Sequence, residues 1–216
     1  MKKTNTLIFI LLATMFVATR FIEPFSFSWL MKIFPMLYLI RITLTKSNNS
    51  SEKVFLVGLL FSTLGDFFLE YDTINLFIFG LISFLLAHTF YIISFAPLSR
   101  LKIKTRLPII VFYVIFGLTI FVFLSKGLGE LFIPVLIYMT VLLLMAVSTL
   151  VSYKSNNWLI IGGVSFVISD SLLGMNKFYL PIPYAEILIM ISYYFAQYAL
   201  VNSVLHYRIF QSNGKI

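Results

Sequence analysis

The stretch GLLFSTLGDFFLE, residues 58–70, holds Asp66 among Phe, Leu and Gly, with no Lys or Arg within ten positions on either side. A second stretch, GGVSFVISDSLLG at 162–174, repeats the arrangement: Asp170 follows Gly162 by eight residues, as Asp66 follows Gly58. The whole chain shares this apolar character. Of its 216 residues 60% are hydrophobic and 11% charged, whereas a soluble domain is nearer half apolar and a quarter charged. That is more apolar surface than a globular core can bury. It implies an integral membrane protein, with residues 1–216 as a single membrane domain. Cysteine is absent, which excludes disulfides and thiolate metal sites. The net charge of +8, in such a chain, points to cytoplasmic loops and not to nucleic-acid binding.

Working outward from the two Asp segments, apolar runs predict an all-α bundle of eight transmembrane helices. They lie at about 7–22, 27–44, 54–71, 74–96, 107–125, 130–152, 157–175 and 184–205. Most have the length that ~1.5 Å of rise per residue needs to cross a ~30 Å hydrocarbon core. The connections are short and polar: KSNNSSEK at 46–53, SRLKIKTR at 99–106 and KSNN at 154–157. The first segment follows MKK but lacks a small-x-small cleavage site, so it is read as a helix and not as a signal peptide.

Basic residues set the orientation. One side of an eight-span bundle holds Lys2, Lys3, Arg41, Lys46, Lys53, Arg100, Lys102, Lys104, Arg106, Lys154, Arg208 and Lys215; the other holds Arg20, Lys126 and Lys177. This split predicts a multi-pass protein with both termini in the cytoplasm, and a bacterial inner membrane is the expected setting. The sixteenth basic residue, Lys32, falls inside the second helix.

Gly58–Asp66 and Gly162–Asp170 are 104 residues apart. Four helices separate equivalent points, so both segments run in one direction, which suggests a 4+4 parallel repeat. Each Asp stands about five residues, roughly 7–8 Å, below the outer end of its helix. Lys32 shares that level. His88 and Gln197 lie about one turn deeper, with Tyr91, Tyr193 and Tyr194 around them.

An ionised group at membrane depth costs ~2.5–3.5 kcal/mol on insertion scales, so it faces the bundle interior and is a functional candidate by default. A structural ion pair with Lys32 is the simplest reading of Asp66 alone. It cannot account for two carboxylates beside one cation, where one is expected ionised and the other protonated. That is what acid and base chemistry needs. His88 alone is more often a hydrogen-bonded packing residue than a catalyst, and His206 reads as interfacial. A catalytic zinc site needs three protein ligands, commonly His, so a zinc hydrolase is not expected. No GxSxG elbow, P-loop or dinucleotide fingerprint occurs. Ser62 and Ser169 lie near the Asp residues, but a membrane Ser usually bonds its own i−4 carbonyl.

At these residues the chain resembles the YhhN-like lysoplasmalogenase family. The resemblance is carried by LVGLLFSTLGDFFLE at 56–70, FGLISFLLAHTFYIISF at 79–95, GGVSFVISDSLLGMNKF at 162–178, PIPYAEILIMISYYFAQ at 181–197, and Lys32-x-x-Pro35. Its FSxxGD and SDxxLxxNKF motifs are specific, and the first helix adds little to it. The resemblance implies a multi-span ether hydrolase that cleaves the sn-1 vinyl ether of a lysophospholipid substrate in the bilayer. The products would be a fatty aldehyde and glycerophosphoethanolamine or glycerophosphocholine, with no metal or organic cofactor. Such a bond breaks by protonation at its β-carbon and capture of the oxocarbenium ion by water. Asp66 and Asp170 are the expected catalytic pair. Lys32, His88, Tyr91, Asn176, Lys177, Tyr194 and Gln197 are the expected substrate-binding or supporting residues.

Two other readings compete. A small-molecule or lipid transporter would use the Asp pair as a proton relay, and helices broken near Gly65 or Gly162-Gly163 would favour it. The other is a lipid-binding protein without catalysis.

Overall fold

In the computed structural model of the chain, residues 1–21, 27–47 and 49–213 are described, with side chains up to residue 206. They form nine α-helices: α1 (Lys3–Thr19), α2 (Ser28–Lys46), α3 (Ser50–Tyr71), α4 (Phe77–Phe95), α5 (Arg100–Thr105), α6 (Leu107–Ser125), α7 (Phe132–Val151), α8 (Asn157–Phe178) and α9 (Ala185–Asn213). A 3-10 turn, Gly129–Leu131, leads into α7. Among the described residues no strand occurs, and the architecture is a polytopic helical membrane protein. Six helices are long and apolar enough to cross a membrane: α3, α4, α6, α7 with its lead-in, α8, and α9 to His206. The shorter α1 is apolar but has 17 residues. Its expected end at residue 22 lies outside the described residues. The 19-residue α2 carries Lys32, Arg41 and Lys46 and is not one of the six.

The two Asp-bearing helices begin alike. The side chain of Asn49 accepts from Glu52 N at 2.9 Å, and that of Asn156 from Leu159 N at 3.1 Å, each satisfying one orphan donor of a first turn. Both helices then run unbroken through Gly65 and Gly162-Gly163, so the irregularity that would favour a transporter is not found there. Two expectations need correction. The SRLKIKTR connection contains α5, capped by the Ser99 side chain, because its Leu, Lys and Arg are good helix formers despite their charge. Residues 176–178, which lie beyond the expected helix end at about 175, are instead the last turn of α8. Hydropathy marks where a helix is apolar, not where it stops. Asp170 therefore stands eight residues before its helix end, and Asp66 five.

The core is two tight helix pairs, α3 with α4 and α8 with α9, bridged by α2 and α7. α1 lies against α2 and α9, and α6 against α7 and α8. Close approach explains two glycines. A Cβ at Gly58 would stand 2.5 Å from the Tyr91 ring, and one at Gly162 2.7 Å from Leu200. Small residues at such seams let apolar helices pack by direct contact. The outer faces present Leu11, Phe112, Leu118 and Ile161, the surface that lipid requires. At one end, the α4–α5 and α7–α8 connections are joined. Ser99 N donates to Val151 O at 2.8 Å, and Lys154 Nζ to Ser94 O at 2.6 Å. Burial lowers the pKa of Lys154 below the usual lysine value, and Glu52 opposes that shift.

Candidate active site

Asp66 from α3 and Asp170 from α8 line one cavity of about 60 Å³, together with Lys32, Phe84, Tyr138, Ser169 and Tyr193. That is room for a few water molecules. Asp66 is 2% exposed, and the Asp170 side chain 13%. Each carboxylate is held by a tyrosine from another helix. Tyr193 Oη donates to Asp66 Oδ2 at 2.6 Å, and Tyr138 Oη to Asp170 Oδ2 at 2.5 Å. His88 Nε2 stands 3.2 Å from Tyr138 Oη and 3.5 Å from the same Asp170 oxygen.

Beneath this pair lies a polar floor. Tyr91 Oη donates to Gln197 Oε1 at 2.9 Å and lies 3.2 Å from Ser62 Oγ. His88 and Gln197 are wholly buried, yet among the described residues His88 Nδ1 and Gln197 Nε2 have no hydrogen-bond partner. The two serines depart from the i−4 expectation. Ser62 meets Tyr91, and Ser169 donates across to Ile189 O at 3.1 Å. Thr63, between helix turns of the same segment, does bond its i−4 carbonyl, Leu59 O, at 2.8 Å.

Above the pair, Lys32 forms its ion pair with Glu70 and not with Asp66. Lys32 Nζ lies 3.5 Å from Glu70 Oε2, and Arg20 Nη2 lies 2.7 Å from Glu70 Oε1. Arg20 also reaches Glu186 at 3.2 Å. Glu70 is not among the expected site residues, yet it follows Asp66 by four residues, one turn along the same face. Tyr138 is not among them either, being one of twelve tyrosines with nothing local to distinguish it. Tyr194 hydrogen-bonds backbone and not a carboxylate: its hydroxyl donates to Lys32 O at 2.7 Å, in the turn before Pro35, which removes one backbone donor from α2. Asn176 is a turn-holder, its Oδ1 accepting from Ile182 N at 2.8 Å. Lys177 Nζ rests 4.3 Å over the Phe77 ring centroid.

Two carboxyl groups, each fixed by a phenol in a largely apolar chamber, offer a proton donor and a proton acceptor on either side of a bound molecule. Among the described residues, no three His, Cys, Asp or Glu side chains are grouped to hold a metal ion.

Comparison with known proteins agrees in kind. Residues 27–204 match the profile of the YhhN family. Lysoplasmalogenase TMEM86A of Homo sapiens is 29% identical over 182 residues, which is 77% of this chain and 74% of that protein. Lysoplasmalogenase TMEM86B of Mus musculus is 31% identical over 188 residues, 85% of this chain and 77% of that protein. The lysoplasmalogenase of Mycobacterium tuberculosis is 32% identical over 128 residues, 57% of this chain and 49% of that protein. No solved structure matches the chain.

Proposed function

The chain belongs to the YhhN family, and from that premise we propose that it is a membrane ether hydrolase cleaving the sn-1 vinyl ether of lysoplasmalogens. Its products are a fatty aldehyde and glycerophosphoethanolamine or glycerophosphocholine. The observation that carries the mechanism is the pair of carboxylates, Asp66 and Asp170, from separate helices in one buried cavity. Asp66 is the acid and Asp170 the carboxylate. The assignment rests on geometry: Asp170 has two neighbours that can donate to it, Tyr138 at 2.5 Å and His88 at 3.5 Å, whereas Asp66 has Tyr193 at 2.6 Å.

Asp66 gives its proton to the β-carbon of the vinyl ether, leaving an oxocarbenium ion that the Asp170 carboxylate stabilises. Asp170 then takes a proton from the water that adds to the cation. The resulting hemiacetal collapses as Asp170 returns that proton to the departing glycerol oxygen and Asp66 recovers one from the hemiacetal hydroxyl. Both groups end as they began. His88 positions Asp170 through Tyr138. Tyr91, Gln197 and His88 form the floor, and their unpartnered nitrogens are groups of the kind that order water. Lys32 and Tyr194 fix the α2 wall, and Asn176 and Lys177 the rim.

The same reading makes the chain a single eight-span domain with both termini cytoplasmic and a 4+4 repeat relating α1–α4 to α6–α9. Support for the repeat comes from reciprocal packing: α4 touches α7, and α9 touches α2, the equivalent pair. Cross-half partners behave likewise, Tyr193 of α9 reaching Asp66 and His88 of α4 approaching Asp170.

The test is aldehyde release by purified protein in detergent from a lysoplasmalogen, with the 1-acyl analogue as control. Asp66→Asn and Asp170→Asn each lower turnover per folded protein by ~10²–10⁴, the scale of general acid–base catalysis. Near-wild-type turnover in either variant removes that Asp from the mechanism. Absence of aldehyde from the unaltered protein removes the hydrolase.

A further inference from the structure

The ends of α1, α3 and α8 and the starts of α2 and α9 enclose a vestibule of about 430 Å³. It adjoins the Asp cavity, sharing Lys32, Phe77 and Met190 among its walls. Its charged lining is Arg20, Lys32, Lys177, Glu70 and Glu186, three cations against two carboxylates. Arg20 is bound to both Glu residues and Lys32 to Glu70. Lys177 is different. Its ammonium lies on the Phe77 ring, and among the described residues no carboxylate forms an ion pair with it. Arg20 adds a second donor, since among the described residues its buried Nε has no hydrogen-bond partner.

Position completes the argument. Lys177 follows Asp170 by seven residues on α8, two turns or ~10.5 Å along the same face. Helical side chains lean toward the N-terminus, so Lys177 leans back toward Asp170. In a lysophospholipid the ether oxygen and the phosphorus are joined through three glycerol carbons and one ester oxygen. A molecule with its ether at the Asp pair therefore carries its phosphate into the vestibule.

We propose that the vestibule binds the phosphodiester of a lysophospholipid headgroup, with Lys177 as the phosphate cation. This rests on the hydrolase reading and adds to it a reason to prefer charged lysolipids over neutral alkenylglycerols. A lysine is a compact, strongly hydrated charge, and here one side of it is dried by Phe77 while the other faces the vestibule.

The experiment uses full-length protein in a non-ionic detergent. Thermal shift is read with glycerophosphoethanolamine and with inorganic phosphate, for the unaltered protein, Lys177→Met and Lys177→Arg. Glycerophosphoethanolamine raises Tm in the unaltered protein and in Lys177→Arg but not in Lys177→Met, and inorganic phosphate does so more weakly. In turnover, the preference for alkenyl lysophospholipid over 1-O-alkenylglycerol falls about tenfold in Lys177→Met, the worth of one hydrogen bond to a charged group. An equal Tm shift in Lys177→Met, no shift in any protein, or a shift with inorganic phosphate alone overturns the subsite. Binding is read without turnover, so the two readings fail separately. Lys177-dependent binding by a protein that releases no aldehyde overturns the hydrolase and leaves the anion site standing. Aldehyde release with an unchanged preference in Lys177→Met overturns the subsite and leaves the hydrolase.

Discussion

Two tyrosine hydroxyls decide how the acidic residues present themselves. Tyr138→Phe and Tyr193→Phe keep the buried rings and remove one donor each from Asp170 and Asp66. On the proposed mechanism Asp170 acts as a carboxylate and Asp66 becomes one as it gives up its proton; a hydrogen bond to a charged group contributes ~1.5–3 kcal/mol, so each change slows aldehyde release by about 10- to 100-fold. The comparison that checks this is turnover per folded protein beside the Asp→Asn variants, which lose more. A Tyr138→Phe enzyme with unaltered turnover would detach Tyr138 and His88 from the chemistry. Asp66 and Asp170 could be read from sequence because a charge in an apolar run must be paid for by burial and partners. The tyrosines could not, because Tyr138 is 32 residues from Asp170 and Tyr193 is 127 from Asp66, and only the assembled bundle brings them together. Glu70 is the intermediate case: its i+4 spacing from Asp66 is visible in the sequence, but a position next to the helix end does not by itself mark a buried carboxylate.

At the scale of helices, the seams are less tolerant than the faces. Gly58→Ala sets a methyl 2.5 Å from the Tyr91 ring and 3.1 Å from Ala87 O. Tyr91 is wholly buried and tied to Gln197, so it cannot step aside freely. Overpacking of this kind costs ~1–3 kcal/mol, and a drop of several degrees in apparent Tm in detergent is expected. Gly117→Ala meets only the tip of the Leu143 side chain, which is partly exposed and free to turn. Its Tm is expected to hold, helped by the ~0.5–1 kcal/mol that alanine gains over glycine in a helix. Equal losses in the two variants would contradict the rigid seam around Tyr91. Six of the eight expected spans coincide with helices long and apolar enough to cross a membrane, because twenty apolar residues have few other options in lipid; the other two fall on α1 and α2. Boundaries were less readable, as the extra turns of α3, α8 and α9 show, since polar flanks continue a helix once its apolar body has formed.

For the whole molecule, the uneven placement of Lys and Arg yields a topology that reporter fusions can check. Fusions after Lys102 and at the C-terminus should report the cytoplasm, and one inserted after Lys177 the opposite face. Lys102 and Lys177 on the same side would reject both the eight-span count and the outward-facing vestibule. Which helices touch which was beyond the sequence, because apolar faces in a bilayer carry no label for their partner and packing is settled by shape. The matched Gly–Asp spacing is the one hint in the sequence of the proposed repeat.

Arg20 has a consequence for how this protein can be taken apart. It belongs to α1, ahead of the segment 27–204 that matches the family, yet it binds Glu70 and Glu186 within that segment. The shared core of the family is thus not electrically self-sufficient in this chain. A graft that replaced α1 with a plain hydrophobic anchor would preserve the bilayer footing and leave Glu70 without its shortest ion pair, holding only Lys32 at 3.5 Å and the Ser28 hydroxyl among the described residues. The first helix is a counter-ion on a stalk, and chimeras between relatives must exchange it together with the carboxylates it neutralises.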